Sequence, residues 1–190
     1  MKALPTLLLL LITSFCMPDP VAADALNPTL DYKARGTRKL KGSVGIGVFT
    51  YRPFEAGKVE YKTEIYSETR SRIILGSPVA EHVRLGTGKE LYHAGVLVDQ
   101  EANVALAGEI LELRVDDRND PVDWTYSVRY TIVDPQSGAV LYGVACPDIR
   151  LRSPRATVPG EYAEALDELI FTGYECLIAD PRVSNFFAAE

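Results

Sequence analysis

Two histidines, three cysteines and 26 acidic residues decide which reactions this 190-residue chain can support. His82 and His93 fall eleven residues apart on one predicted helix. They share a side but lie about 16 Å apart along the axis at 1.5 Å per residue, so one metal ion cannot take both. Each is expected as a solvated or partly packed side chain. No Gly-x-Ser-x-Gly elbow occurs to present a nucleophilic serine, and no Cys-x-x-Cys occurs to support thioredoxin-type redox chemistry. The densest set of carboxylates is Asp116-Asp117-Arg118-Asn119-Asp120-Pro121-Val122-Asp123. It lacks the glycine and the distal glutamate of a calcium loop. Asp, Asn and Pro between two strands are ordinary turn formers, so the stretch reads as a solvated hairpin tip. No catalytic, cofactor-binding or metal-ligating residue is therefore assigned, and the expected role is binding without catalysis. Two other readings stand beside it. A hydrolase using carboxylates requires two acids about 5–10 Å apart in a cleft. A small lipid or ligand carrier requires an apolar pocket between sheet and helices.

The rest of the composition agrees with a folded binding domain. Hydrophobic residues make up 47% and charged residues 24%, close to the averages for soluble domains and far from a disordered chain. The length suits one domain with its own core. A net charge of -6 and a pI near 5.1, with no Lys/Arg cluster on a predicted helix, exclude nucleic acid as the expected partner.

The N-terminus reads as an export signal. Lys2 supplies a positive start, Leu4 to Met17 is almost entirely apolar, and small residues follow the Pro18-Asp19-Pro20 break at Val21, Ala22 and Ala23. That order describes a secretory signal peptide over residues 1–23. The apolar run has 14 residues, short of the roughly 20 that a spanning helix needs. Cys16 is preceded by Phe15 where a lipid-attachment site calls for a small residue, which disfavours lipidation. The membrane is a partner only if Cys16 is lipidated. Cleavage after Ala23 leaves Cys146 and Cys176. In an oxidising compartment they form either one disulfide or two buried thiols, and spacing alone does not choose between these.

Residues 24–42 are polar and are expected as a flexible lead-in. Val44, Ile46 and Val48 alternate with small residues, a strand signal. Residues 52–76 form a polar insertion in which Val59, Tyr61 and Ile65 lie on one side of an exposed ribbon. Ser77-Pro78 should start a helix, with Ser77 as its cap and Pro78 in its first position. Val79, Val83, Leu91 and Ala94 form its stripe and Gly95 ends it. Three strands follow as an antiparallel meander: Ala105 to Asp116, Trp124 to Val133, and Ala139 to Ala145 after the Asp134-Pro-Gln-Ser-Gly138 turn. A last helix lies between Pro159 and Pro181, with Tyr162, Leu166, Leu169, Ile170, Gly173 and Leu177 on its apolar side. The expected fold is α+β, in the order β-α-β-β-(β)-α, with a mostly antiparallel sheet and two helices packed on one face. One domain covers residues 43–184, and 185–190 is a C-terminal tail.

This order behind an export signal resembles a group of small bacterial cell-envelope proteins. They include YajG-like lipoproteins, auxiliary lipoproteins of ABC-type envelope transporters, and the related domains of CsgG and TolB. The residues that carry the resemblance are Val44-Gly-Ile-Gly-Val-Phe49, Val79 to Val98 ending in Tyr92-His-Ala-Gly-Val-Leu-Val98, Ala107-Gly-Glu-Ile-Leu-Glu-Leu113, and Trp124 through Tyr142. The resemblance implies a non-enzymatic periplasmic accessory protein, with no cofactor. Its partner would be an envelope protein or a transport or assembly complex, bound through a sheet edge or the 52–76 insertion. Tyr61, Ile65, Tyr66, Phe186 and Phe187 are the expected contact residues, because aromatic anchors among polar neighbours suit interfaces.

Overall fold

The computed structural model describes residues 32–69, 72–156 and 159–188. The expected signal peptide, Cys16 and residues 24–31 of the lead-in lie outside the described residues.

The three alternating segments form the meander. β5 (Ala105–Asp116), β6 (Val122–Val133) and β7 (Val140–Ser153) pair antiparallel in sequence order. Their alternation sorts one face into the core. Leu106, Ile110, Leu113 and Val115 of β5 are buried, as are Trp124, Tyr126, Val128, Tyr130 and Ile132 of β6. Each large apolar side chain buried this fully contributes about 1.5–3 kcal/mol, so the meander dominates the core. The acidic stretch is the β5–β6 hairpin tip, as its turn formers require.

The remaining strands make the sheet mixed. β1 (Ser43–Tyr51) lies parallel to β5, and β2 (Glu64–Ser67) lies parallel to the far end of the same β5 edge. β3 (Ile73–Ile74) covers β2 antiparallel, and β4 (Leu97–Val98) covers the start of β1 parallel. Parallel neighbours need long crossovers. The helix α2 (Val79–Ala94) lies in the crossover from β2 to β5.

α2 and α3 (Pro159–Ala179) pack together on one face of the sheet, α2 chiefly over β1 and α3 over β7 and β6. The expected stripes face inward: Val79, Val83, Leu91 and Ala94 on α2, and Leu166, Leu169, Ile170 and Leu177 on α3, are buried. Gly86 lets the helices approach. A Cβ there would stand 2.9 Å from Ile170 Cγ2 and 3.1 Å from the Tyr32 ring, closer than side chains pack. Gly95 ends α2 at φ 99°, the left-handed cap that glycine adopts without a Cβ penalty.

Four boundaries differ from expectation. Pro78 is the N-cap of α2, with no side-chain cap bond from Ser77; the His82 amide is bonded by the Pro78 carbonyl oxygen instead. The insertion is part of the sheet and the core, not an exposed ribbon. It begins with a short helix, α1 (Arg52–Glu55), and buries Val59, Ile65, Ile73 and Leu75. The lead-in is not loose at residues 32–36, where Tyr32 is 4% exposed and joins the core. The tail is helical: α4 (Pro181–Ala188) buries Val183 and Phe187. A strongly apolar side on a short segment after Pro181 docks it, and this outweighs the break at Asp180-Pro181.

Candidate functional site

The insertion builds a concave surface beside β2. α1 turns the chain at Gly57, and β2 then returns it along β5, leaving a groove of about 620 Å³ between residues 57–60 and β2. Lys58, Glu60, Glu64, Tyr66, Glu68 and Arg72 line it. Cations sit over aromatic rings around it. Lys58 Nζ is 5.8 Å from the Tyr66 ring centre, Arg72 5.6 Å from that of Tyr61, and Lys62 5.6 Å from that of Phe54. Such contacts hold long side chains in place while leaving ring edges available. Arg72 also pairs with Glu60, and this hydrogen bond raises the Arg72 pKa. Glu64 Oε2 accepts the Glu60 amide at 3.0 Å and closes the turn from below. Arg114 pairs with Glu68 at 2.8 Å and fixes the far wall.

Within this frame the expected contact residues separate. Tyr61 is 47% exposed, and Tyr66 is half-buried on the groove wall. Ile65 is 1% exposed, and its expected exposure is corrected. In a strand with one buried face, Ile65 takes the inward position between Glu64 and Tyr66. Phe187 is corrected in the same way at 0% exposed, while Phe186 is half-buried and stacks on Tyr142 with ring centres 5.7 Å apart. Tyr142 in turn donates to Asp180 at 2.6 Å and lies under Arg182. Hydrogen bonds from Arg182 and Tyr142 lower the Asp180 pKa well below the usual carboxylate range.

The residues considered for chemistry are placed as follows. His82 is 2% exposed, not solvated, and its Nε2 lies 3.2 Å from Asp167 Oδ1 on α3. The pair ties α2 to α3 beneath the surface. His93 is exposed near the end of α2. Cys146 on β7 and Cys176 on α3 are joined by a disulfide, with Cα atoms 6.0 Å apart. A second groove of about 430 Å³ runs between α2 and the segment at Tyr32, and it is lined mainly by apolar side chains with Lys89 and His93 at its rim.

The sequence reading missed Glu90. It is 0% exposed, and its carboxylate accepts the Tyr32 hydroxyl at 2.6 Å, the Arg35 amide at 3.0 Å and the Gly36 amide at 2.9 Å. Its position was a signal: Val83, Thr87 and Glu90 follow helical spacing along the buried side of α2, so the acid had to meet donors inside.

Burial raises the phenols of Tyr32, Tyr51, Tyr126, Tyr130 and Tyr174, in the case of Tyr130 from 10.0 to about 12. A group with a raised folded-state pKa stabilises the fold fully below its unfolded value, and that stability is lost as pH climbs toward the folded value. Alkaline titration is therefore expected to unfold the protein cooperatively between about pH 10 and 12, with tyrosinate absorbance and circular dichroism changing together. Gradual ionisation of all ten tyrosines near pH 10, with the dichroism unchanged, would contradict this.

No family model matches the chain, and no curated protein matches it. Among solved structures, protein XCC0632 from Xanthomonas campestris, of family DUF330, is 9% identical over 85% of this chain and 96% of its own, with a TM-score of 0.58. A Caulobacter crescentus protein described as a lipoprotein is 14% identical, over 59% of this chain and 85% of its own, with a TM-score of 0.44. Lipoprotein GNA1162 from Neisseria meningitidis is 12% identical, over 69% and 99%, with a TM-score of 0.39. The first similarity establishes a shared fold with the DUF330 protein. Among the described residues, no helix is long and apolar enough to cross a membrane.

Proposed function

We propose that the protein is an exported, non-enzymatic accessory protein of the bacterial cell envelope that binds a protein of a transport or assembly complex through the insertion groove. The observation that carries this reading is Tyr61. It stands 47% exposed with the groove-lining Arg72 over its ring, on a segment anchored in the core by Val59 and Ile65. A rigid aromatic with a charged rim loses little freedom on binding, which is what interface hot spots require. The charge, apolar run and small-residue site of residues 1–23 support export, and the Cys146–Cys176 bond suits an oxidising compartment. The resemblance to YajG-like and ABC-transport auxiliary lipoproteins supports the envelope role.

The test is in-cell crosslinking of the exported protein, followed by mass spectrometry of what is captured. Tyr61→Ala combined with Lys58→Glu changes only exposed side chains. It is expected to reduce capture about tenfold or more, since hot-spot truncation costs at least about 2 kcal/mol. The thermal transition should stay within about 2 °C of the parent, because surface substitutions usually change stability by less than 0.5 kcal/mol. Equal capture by parent and variant would reject the groove as the interface.

A further inference from the structure

Charge is spread unevenly along this acidic chain. Between Tyr32 and Gly42 stand five of its 20 basic residues, Lys33, Arg35, Arg38, Lys39 and Lys41, and none of its 26 acidic ones. All five are exposed. The strip runs alongside α2: Tyr32 packs at Gly86, the Gly36 amide donates to Glu90, and the Leu40 amide donates to the Ala94 carbonyl. Its cations thus accompany the last two turns of the helix, about 12 Å of axis. Arg35 pairs with Glu168 and Arg38 donates to the Ile178 carbonyl, whereas Lys33, Lys39 and Lys41 form no ion pair among the described residues. The outer side of α2 continues the pattern with Leu85, Lys89, Tyr92 and His93, which line the second groove, and Tyr92 is 69% exposed. Neither acid of α2 opposes these cations. Glu90 is buried beneath the strip, and Glu81 is paired with Arg84 at 2.6 Å. The next exposed acids along the chain, Asp99 and Glu101, lie beyond β4.

We propose that this face, the 33–41 strip together with the outer side of α2, docks on an anionic lipid surface, whether or not Cys16 carries a lipid. Charge complementarity chooses the occupant. A chain of net charge -6 is repelled by an anionic bilayer except where its cations are gathered. Each Lys or Arg held near such a surface strengthens binding about fivefold. The apolar elements fit the same occupant. Tyr92, flanked by Lys89 and His93 on the helix surface, suits headgroup depth, and lysine stems lie along an apolar boundary while their ammonium groups stay in water. Leu85, with Ile46 and Val98 in the groove wall, supplies the shallow apolar contact of a helix that lies on a membrane. Lysines on flexible stems also suit a fluid array of phosphates. A fixed pattern of carboxylates on an acidic protein is matched better by oriented guanidinium groups. This inference is independent of the insertion groove.

Co-sedimentation with vesicles tests it. The exported Cys16→Ser protein, which has no acyl group at that position, is mixed with vesicles of phosphatidylcholine alone or of phosphatidylcholine with about 30% phosphatidylglycerol. The expected result is binding to the anionic vesicles only, weakened severalfold between about 50 and 300 mM salt. In this background Lys39→Gln/Lys41→Gln should lower the partition constant about 25-fold, and Tyr92→Ser should lower it severalfold with the salt dependence kept. Arg150→Gln should change nothing, since Ile149 and Leu151 pack against the core and Arg150 between them lies on the opposite face of the sheet. All four substituted side chains are exposed, and thermal melts check that each variant is folded. Equal binding to both kinds of vesicle would overturn the proposal, as would binding unaffected by the two lysine substitutions or weakened as much by Arg150→Gln. So would no association with the anionic vesicles at about 50 mM salt, including the case in which the strip captures an acidic protein instead.

Discussion

Glu90→Ala is expected to lower stability by about 3–5 kcal/mol, because three donors lose a buried acceptor and each unsatisfied group costs about 1–3 kcal/mol. For a chain of this length that corresponds to a fall of roughly 6–20 °C in the thermal transition. The loss arises at the junction of Tyr32, Arg35 and Gly36 with α2, where the carboxylate is their shared acceptor. Glu90→Gln keeps the shape and one acceptor oxygen, so it should lose less than half as much. Tyr32→Phe, which removes one donor together with its bond, should be milder still. Limited proteolysis supplies the second readout, since cleavage at residues 33–41 should appear in Glu90→Ala before global unfolding. A melting curve for Glu90→Ala within 2 °C of the parent, with this segment still protected, would show that the core holds the segment without the carboxylate.

The second large effect belongs to the disulfide. Cys146 and Cys176 close a loop with a sequence separation of 30, and the chain-entropy model values such a cross-link at about 3–4 kcal/mol. Cys146→Ala/Cys176→Ala should therefore melt roughly 6–16 °C below the parent. Reductant should lower the parent toward the same value and leave the variant unchanged. Cys146 is 1% exposed, so reduction should proceed mainly from opened molecules and become faster with temperature. Identical melting of the parent with and without reductant, after complete thiol titration, would remove the bond from the stability of the fold.

The parts legible in the sequence were those governed by short-range periodicity. Alternation at 111–116 and 124–133 marks a face as buried whatever its neighbours, and the α2 and α3 stripes do the same at helical spacing. Pairing partners are not encoded this way. Nothing in Val44-Gly-Ile-Gly-Val states that β1 lies parallel to β5, or that β2 extends the same edge beyond it. That arrangement depends on crossovers and on total core volume. The polar lead-in concealed an anchor because the acceptor for Tyr32 lies 58 residues away on α2. Ile65 and Phe187 show the limit for a site: an apolar residue in a polar segment faces either inward or outward, and only the packed structure chooses. Tyr61 is exposed, while Tyr66 is half-buried on the groove wall.

The clamp on Tyr32 also sets a length of tether. Tyr32 itself is held at one fixed point beside α2 by the Glu90 carboxylate. If the leader is cut after Ala23, eight residues remain upstream, with a contour of at most about 28 Å. If Cys16 carried a lipid instead, the sixteen steps from it to Tyr32 would keep that point within roughly 55 Å of the bilayer surface.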